Sequence, residues 1–230
     1  MKIIAGRSPL EVWKEGSTHL IDNGGADYNL LLSFPCVAAA NETPLQDYDP
    51  SLVLGSNFDR ARDVANTIFP KKTWENVDSR PKLYSRYMRA HRMGKKKQWG
   101  TYFGRMIAFG AAEINQLERV IDAMNTWQTS HRAALLLHLS SADTDRLKHL
   151  GAPCLQYLQF NSPTTGIVDL VAVYRNHDYC NKVLGNLFGL ARLLRFVCDE
   201  SGRSPGAVVA HSIHAYLAAS MTKQKKLIGA

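Results

Sequence analysis

The 230 residues contain no apolar run of the roughly 18 positions that a membrane-spanning helix requires. Cysteine is scarce: Cys36, Cys154, Cys180 and Cys198 form no Cys-x-x-Cys pair and no dense framework. A disulfide scaffold is therefore excluded, and free thiols in a reducing cytoplasm are the expectation. The opening stretch MKIIAGRSPLEVWKEG lacks the apolar region of a secretory signal, because Gly6, Arg7 and Ser8 interrupt it. There is no phosphate-cradling P-loop, no Gly-x-Gly-x-x-Gly and no His-Glu-x-x-His. Internal repeats and low-complexity segments are also absent.

What is present is an ordinary folded composition, 45% hydrophobic and 21% charged. With no clean place to cut the chain, residues 1–230 read as one domain. Lys+Arg number 28 and Asp+Glu 20, a net charge of +8. A basic balance points to an anionic partner, whether nucleotide, nucleic acid or phosphorylated substrate. The cations crowd into residues 71–99, where Trp74, Tyr84, Tyr87 and Trp99 are interleaved with Lys71, Arg80, Lys82, Arg86, Arg89 and others. Two readings stay open there: a solvated basic loop, or a nucleic-acid or phosphate-facing patch.

Hydrophobic periodicity predicts the elements. Leu30–Phe34 reads as a buried strand limited by Pro35, and Asn41–Pro50 as turn-like. Asp59–Phe69 reads as a short helix stopped by Pro70. Ile114, Leu117, Val120, Ile121, Met124 and Trp127 mark an amphipathic helix. Ala133–Ser140 is a short strand, and Asp143–Leu150 a short helix. Leu155–Phe160 and Ile167–Tyr174 form a hairpin about a turn at Asn161–Gly166. Leu184 to Cys198 is a long helix. A last short strand near Ala207–His211 leads to an Ala-rich closing helix. This order predicts an α+β fold, a mixed sheet packed with helices.

Several residues could carry chemistry. Cys154 stands in Gly-Ala-Pro-Cys at the start of the first hairpin strand, and Arg175 at the end of the second. Antiparallel pairing brings the two side by side, which offers the thiol a cation; a buried structural cysteine is the alternative. His214 and Tyr216, two apart on an extended segment, face one way and could hold a sugar hydroxyl, or could be satisfied core groups. His177-x-x-Cys180 and His211-x-x-His214 have ligand-like spacing, but neither sits in a recognisable knuckle, so no metal site is assigned.

An ordered series of motifs from about Asn115 to Tyr216 resembles the thymidylate synthase family, which includes the pyrimidine hydroxymethylases. The helix from Gln116 through Trp127 is similar to the one preceding the family's arginine pair, and Ser130-His131-Arg132 stands at that pair. Ala152-Pro153-Cys154 followed by Leu-Gln-Tyr-Leu-Gln-Phe is similar to the nucleophile segment. Tyr174-Arg175-Asn176-His177-Asp178 resembles Gln-Arg-Ser-x-Asp. Leu184-Gly185-Asn186-Leu187-Phe188-Gly189 resembles Leu-Gly-x-Pro-Phe-Asn, and His214-Ala215-Tyr216 the His-x-Tyr that holds the ribose. Gly100-Thr101-Tyr102-Phe103-Gly104-Arg105 is similar to an upstream Gly-x-x-Tyr-Gly segment. The likeness is clearest over 100–216, while 1–99 diverges.

The resemblance implies a thymidylate synthase-like mixed β-sheet packed with helices. It implies Cys154 as the nucleophile toward C6 of a pyrimidine. Arg175 and Arg132 become phosphate anchors, with Arg132 reaching across a homodimer. Asn176, His214 and Tyr216 become nucleotide contacts, and Asp178 a pyrimidine and folate contact. The cofactor implied is 5,10-methylenetetrahydrofolate, the substrate a pyrimidine nucleoside monophosphate, and the activity a methylating or hydroxymethylating C5 transfer. The departures matter. Asn66 stands nearest to the catalytic glutamate, Gly189 replaces the pyrimidine-reading asparagine, and Leu155 follows the nucleophile where histidine is usual. Three extra residues separate Asp178 from Gly185, and no folate-closing segment follows Tyr216. The alternative is a nucleotide-binding or nucleic-acid-associated protein of the same fold without folate-dependent turnover. A third reading keeps the thiol and drops folate.

Overall fold

The structure, a computed structural model, describes residues 1–36, 56–93, 99–126, 135–145, 151–164 and 166–229. Within them lie seven strands in one mixed sheet and nine helices, an α+β architecture.

The sheet runs β1-β2-β7-β5-β4-β3, built from β1 (Lys2–Ala5), β2 (Ala26–Pro35), β3 (Leu136–His138), β4 (Leu155–Thr164), β5 (Ile167–Tyr174) and β7 (Ser204–Tyr216); β6 (His177–Asp178) also pairs with β7. Alternation decides which face is covered. Leu30, Leu32 and Phe34 of β2 are buried, opposite Ser212, Ala210 and Val208 of β7. Leu170, Ala172 and Tyr174 of β5 continue that layer. Helices α1 (Pro9–Asp22) and α8 (Val183–Glu200) pack against it. Ser8 caps α1 by accepting from the Glu11 N–H at 3.2 Å, with Pro9 at the first turn where its missing donor costs nothing. The opposite face is half-exposed and partly apolar, with Tyr157, Val173, His211 and Leu31 in register across four strands.

Helix α2 (Ser56–Ile68) lies across α8 at close range. Gly185 and Gly189 permit the approach. A Cβ on Gly189 would stand 2.9 Å from the Ala65 carbonyl oxygen, and one on Gly185 would strike the Ala61 carbonyl. The remaining helices are α3 (Lys71–Trp74), α4 (Arg80–Met93), α5 (Tyr102–Ile107), α6 (Gln116–Thr126), α7 (Ala142–Asp145) and α9 (Met221–Ile228).

Four expectations need correction. Among its described residues, the basic segment is mostly helical rather than a loop, with α3 and α4 covering 71–74 and 80–93. Leu83, Tyr84, Tyr87 and Met88 of α4 form a stripe toward the core, while Lys82, Arg86 and Arg89 face outward. Three of the interleaved aromatics, Trp74, Tyr84 and Tyr87, pack inward: Trp74 meets Phe196 at 5.0 Å, and Tyr87 meets Phe103 at 4.8 Å. Arg80 is itself held by Glu118 at 2.7 Å and Glu200 at 2.8 Å. The last strand is 13 residues long rather than a short piece, because Pro205 and Gly206 begin it instead of breaking it. β4 runs on to Thr164, so the hairpin turn is tighter than Asn161–Gly166. The closing helix is Lys-rich, since Ala218 and Ala219 fall in the preceding turn. The turn-like Asn41–Pro50, the distal part of the 143–150 helix, Trp127, Ala133 and Arg132 lie outside the described residues.

Candidate active site

Gly151, at φ 80°, and Pro153 turn the chain into β4, and Cys154 immediately precedes that strand. Leu155 pairs with Tyr174 in the β4–β5 hairpin, so Cys154 and Arg175 are the next positions outward. The Arg175 N–H donates to the Cys154 carbonyl at 2.9 Å. Burial pushes the thiol above its ordinary range, and the Arg175 guanidinium and Lys182 work against burial without overcoming it. The depressed thiol expected from an arginine neighbour is thus not realised in the free protein, because desolvation wins. Cys154 is half-buried rather than sealed.

Its side chain lines a cavity of about 240 Å³ together with Asn176, Asp178 and Tyr216, and with Trp99, Tyr102, Lys182 and Asn186. The parallel pairing of β6 with β7 sets Asp178 beside Tyr216. Both Asp178 oxygens are engaged by the following turn: Oδ1 accepts from the Cys180 and Asn181 N–H groups at 2.9 and 3.2 Å, and Oδ2 from the Asn181 side chain at 2.8 Å. His214 Nδ1 is 2.7 Å from Asn176 Oδ1, and the His214 ring stacks on Tyr216 at 5.5 Å with 5° between planes. The two residues read as a pair on one face do stand together. The Tyr102 hydroxyl accepts from the Leu155 N–H at 3.4 Å, and Trp99 tilts against Tyr102 at 4.9 Å, giving the cavity an aromatic wall.

Arg175 opens onto a neighbouring cavity of about 480 Å³, shared with Ser140, Ser141 and Gln156; Ala152 borders both spaces. Its frame is the Arg105–Asp145 pair, two bonds of 2.6 Å between α5 and α7. Burial opposes ionisation of Asp145, but the bonds from Arg105 and the Ser141 N–H outweigh it and hold the carboxyl below the usual range.

Not every expected residue reaches this cleft. Asn66 accepts from Arg192 at 3.3 Å and is not part of the cavity wall, where Val64 and Thr67 represent α2 instead. Gly189 is buried in the α2–α8 contact. His177, 1% exposed, engages both ring nitrogens, with Ser212 Oγ at 2.8 Å and Asn186 Nδ2 at 3.0 Å, and it stacks on Tyr174 at 3.8 Å. Burial lowers its pKa to about 3. No cluster of three or more metal-ligating groups occurs among the described residues. His211 Nε2 lies 3.1 Å from Asn29 Oδ1 on the half-exposed sheet face.

Lys182, Asn186, Trp99 and Tyr102 escaped the reading as site residues. One signal was available for Asn186: a lone amide among the apolar positions that open α8. The sequence reads as having no Gly-x-Ser-x-Gly elbow, yet the string itself does occur at Gly202–Gly206. It leads from α8 into β7, the reverse of the strand–turn–helix order that exposes a nucleophilic serine.

No protein-family model matches the chain. Over 115 residues it is 29% identical to a protein of Methanosarcina barkeri named "putative thymidylate synthase", 28% to one of that name from Methanococcoides burtonii and 30% to one from Methanosarcina acetivorans. Each match covers 50% of this chain and 51% of the relative, so the chain spans about half the length of the curated relatives it matches. These likenesses support a thymidylate synthase-like family for the matched half of the chain. No described helix is long and apolar enough to cross a membrane.

Proposed function

We propose that this chain is a divergent pyrimidine nucleotide C5 one-carbon transferase, methylating or hydroxymethylating, that works through Cys154. The observation that carries the reading is the position of Cys154: half-buried on the wall of a base-sized cavity, its carbonyl bonded to the Arg175 N–H, with the Arg175 charge favouring its thiolate. In the addition step a bond forms between Sγ and C6 of the ring. The C5=C6 electron pair moves onto C5 and O4, and the thiol proton leaves to solvent. Lys182, in the same cavity, supplies a cation for the charge that develops on O4. Asp178, the carboxylate among the described lining residues, stands where a proton could be exchanged, although its oxygens already serve the 180–181 turn.

The nucleotide lies with its base against Cys154, its ribose at Asn176, His214 and Tyr216, and its phosphate toward Arg175, Ser140 and Ser141. Arg132 adds a second phosphate cation from a partner copy in a homodimer. The sheet face on which the large apolar side chains of Tyr157 and Ile213 are exposed supports that assembly. The aromatic wall of Trp99 and Tyr102, with Lys182 nearby, fits a flat pterin carrying an anionic tail. These are the residues that would hold 5,10-methylenetetrahydrofolate, which when bound supplies a one-carbon unit at the formaldehyde level. The test is tritium release from 5-tritiated dUMP, UMP, dCMP and CMP with that donor. Release from at least one nucleotide supports the transferase, and release from none contradicts it.

A second reading, a nucleotide-binding protein of this fold without turnover, is favoured by two findings: the thiol held above its ordinary range and the Asp178 carboxylate engaged at both oxygens by the 180–181 turn. Nucleotide binding that survives Cys154→Ala, with no tritium release, separates it from the first.

A further inference from the structure

Among the inward positions that open α8, Val183, Leu184, Leu187 and Phe188 are apolar and Asn186 is the exception. It is 4% exposed and lies on the cavity wall. A buried amide is costly unless both of its ends find partners. One end is accounted for: Nδ2 lies 3.0 Å from His177 Nε2. An amide nitrogen only donates, so Nε2 accepts. A neutral imidazole then carries its proton on Nδ1, facing Ser212 Oγ at 2.8 Å. Burial lowers His177 to about 3, consistent with the neutral ring that this chain of bonds requires. The stack on Tyr174 at 3.8 Å fixes the ring plane. The direction of the Asn186 amide is therefore set from behind, and its carbonyl oxygen is the end left for a ligand.

Gly189, where the resemblance places a base-reading amide, cannot supply one. Any side chain there meets the Ala65 carbonyl and Ile68 of α2, with both approaches at 2.9 Å from the Cβ position. Asn186 stands three positions earlier on the same helix and lines the same cavity as the group that would attack the base.

We infer that Asn186 reads the base, its carbonyl oxygen accepting a hydrogen bond from a donor on the pyrimidine edge, with His177 and Ser212 as positioning residues that fix the amide. The inference rests on the cavity being a pyrimidine nucleotide site. The donor it selects is the N3–H of a uracil or the N4 amine of a cytosine. Gly189 therefore does not by itself turn the site away from uracil.

The experiment is calorimetry on the full chain with dUMP and dCMP, each against the analogue whose edge donor is replaced by methyl groups (3-methyl-dUMP and N4,N4-dimethyl-dCMP). The native protein is expected to bind its preferred nucleotide at least about tenfold more tightly than the methylated analogue, because a site built for a donor rejects a ligand lacking it. Asn186→Ala is expected to bring that ratio to within about threefold by removing the acceptor and opening room for the methyl group. If Asn186→Ala binds but discriminates as the native chain does, Asn186 is not the reader, while the nucleotide site itself stands. If no pyrimidine monophosphate binds the native chain, the inference and the proposed function fall together. If the variant does not fold, the side-chain amide resonance of Asn186 in the native protein reports the same contact. It must shift when the preferred nucleotide saturates the site, and a signal that stays in place overturns the inference.

Discussion

The Arg175 N–H donates to the carbonyl of Cys154 at 2.9 Å, and this backbone bond, one step beyond the last hairpin pair, keeps guanidinium and thiol together. Burial raises the thiol, while Arg175 and Lys182 pull it down. Alkylation of Cys154 by iodoacetamide should therefore accelerate with pH up to the alkaline side of an ordinary thiol. At pH 8 the reaction should be severalfold slower in Arg175→Met, and slower by a smaller factor in Lys182→Met, because each change removes a cation that favours the thiolate. Equal rates in all three proteins would remove electrostatics from the account of this cysteine.

The close crossing of α2 on α8 makes Gly189 a packing residue. Gly189→Asn, which introduces the amide that the resemblance expects there, should destabilise the chain by about 2 kcal/mol or more through overpacking against Ala65 and Ile68. It should add no nucleotide discrimination. Urea denaturation measures the first effect and calorimetry the second. A stable Gly189→Asn protein with sharper base selectivity would show that the amide belongs at 189.

Arg105 and Asp145, with side chains 14% and 9% exposed, form a two-bond ion pair at the edge of the cavity that Arg175 lines. Removing one partner leaves a buried charge uncompensated. Arg105→Met should therefore cost about 3–5 kcal/mol of stability, and Asp145→Ala a comparable amount. The folded carboxyl lies below its unfolded pKa, so the unfolded chain binds more protons in the window between the two. This contribution is full above the ordinary carboxylate range and is lost as pH falls through the folded value. Denaturation midpoints followed from pH 6 to pH 3 should show this slope in the native chain and lose that part of it in Asp145→Asn.

His177 gives a second, separate pH window. Its folded pKa of about 3 lies far below the ordinary histidine value, so the unfolded chain takes up a proton that the folded chain refuses. Stability should fall by about 2 kcal/mol between pH 7 and pH 5 from this one group. In His177→Gln that part of the slope should vanish. Nitrogen chemical shifts of the native ring should report one neutral tautomer, protonated on Nδ1, throughout the range. An Nε2 proton would reverse the Asn186 amide.

How legible the molecule was in its sequence depended on range. The β4–β5 hairpin is local, its alternation is clean, and the meeting of Cys154 with Arg175 followed from strand pairing alone. His214 and Tyr216 were legible for the same reason, since two residues apart on a strand fixes a face. Helix α4 was hidden because its cations dominate the composition, and only the 3.6-residue stripe of Leu83, Tyr84, Tyr87 and Met88 gives it away. β7 looked short because Pro205 and Gly206 resemble breakers and His211, Ser212 and His214 interrupt an apolar pattern. Asn186 is visible as a lone amide among apolar positions, but its role is not: nothing local says that α2 fills the space at Gly189, so the role of a residue on one helix is decided by the backbone of another.

The central claim is that the Cys154 sulfur adds to C6 of a pyrimidine and thereby makes C5 exchangeable. Nuclear magnetic resonance of dUMP, UMP, dCMP and CMP in deuterated water, with the protein and no one-carbon donor, tests it directly. Loss of the C5 proton signal from at least one nucleotide, slowed by about a hundredfold or more in Cys154→Ser, is the expected result. A nucleotide that binds yet keeps its C5 proton, or one that exchanges equally fast with Cys154→Ser, contradicts the claim.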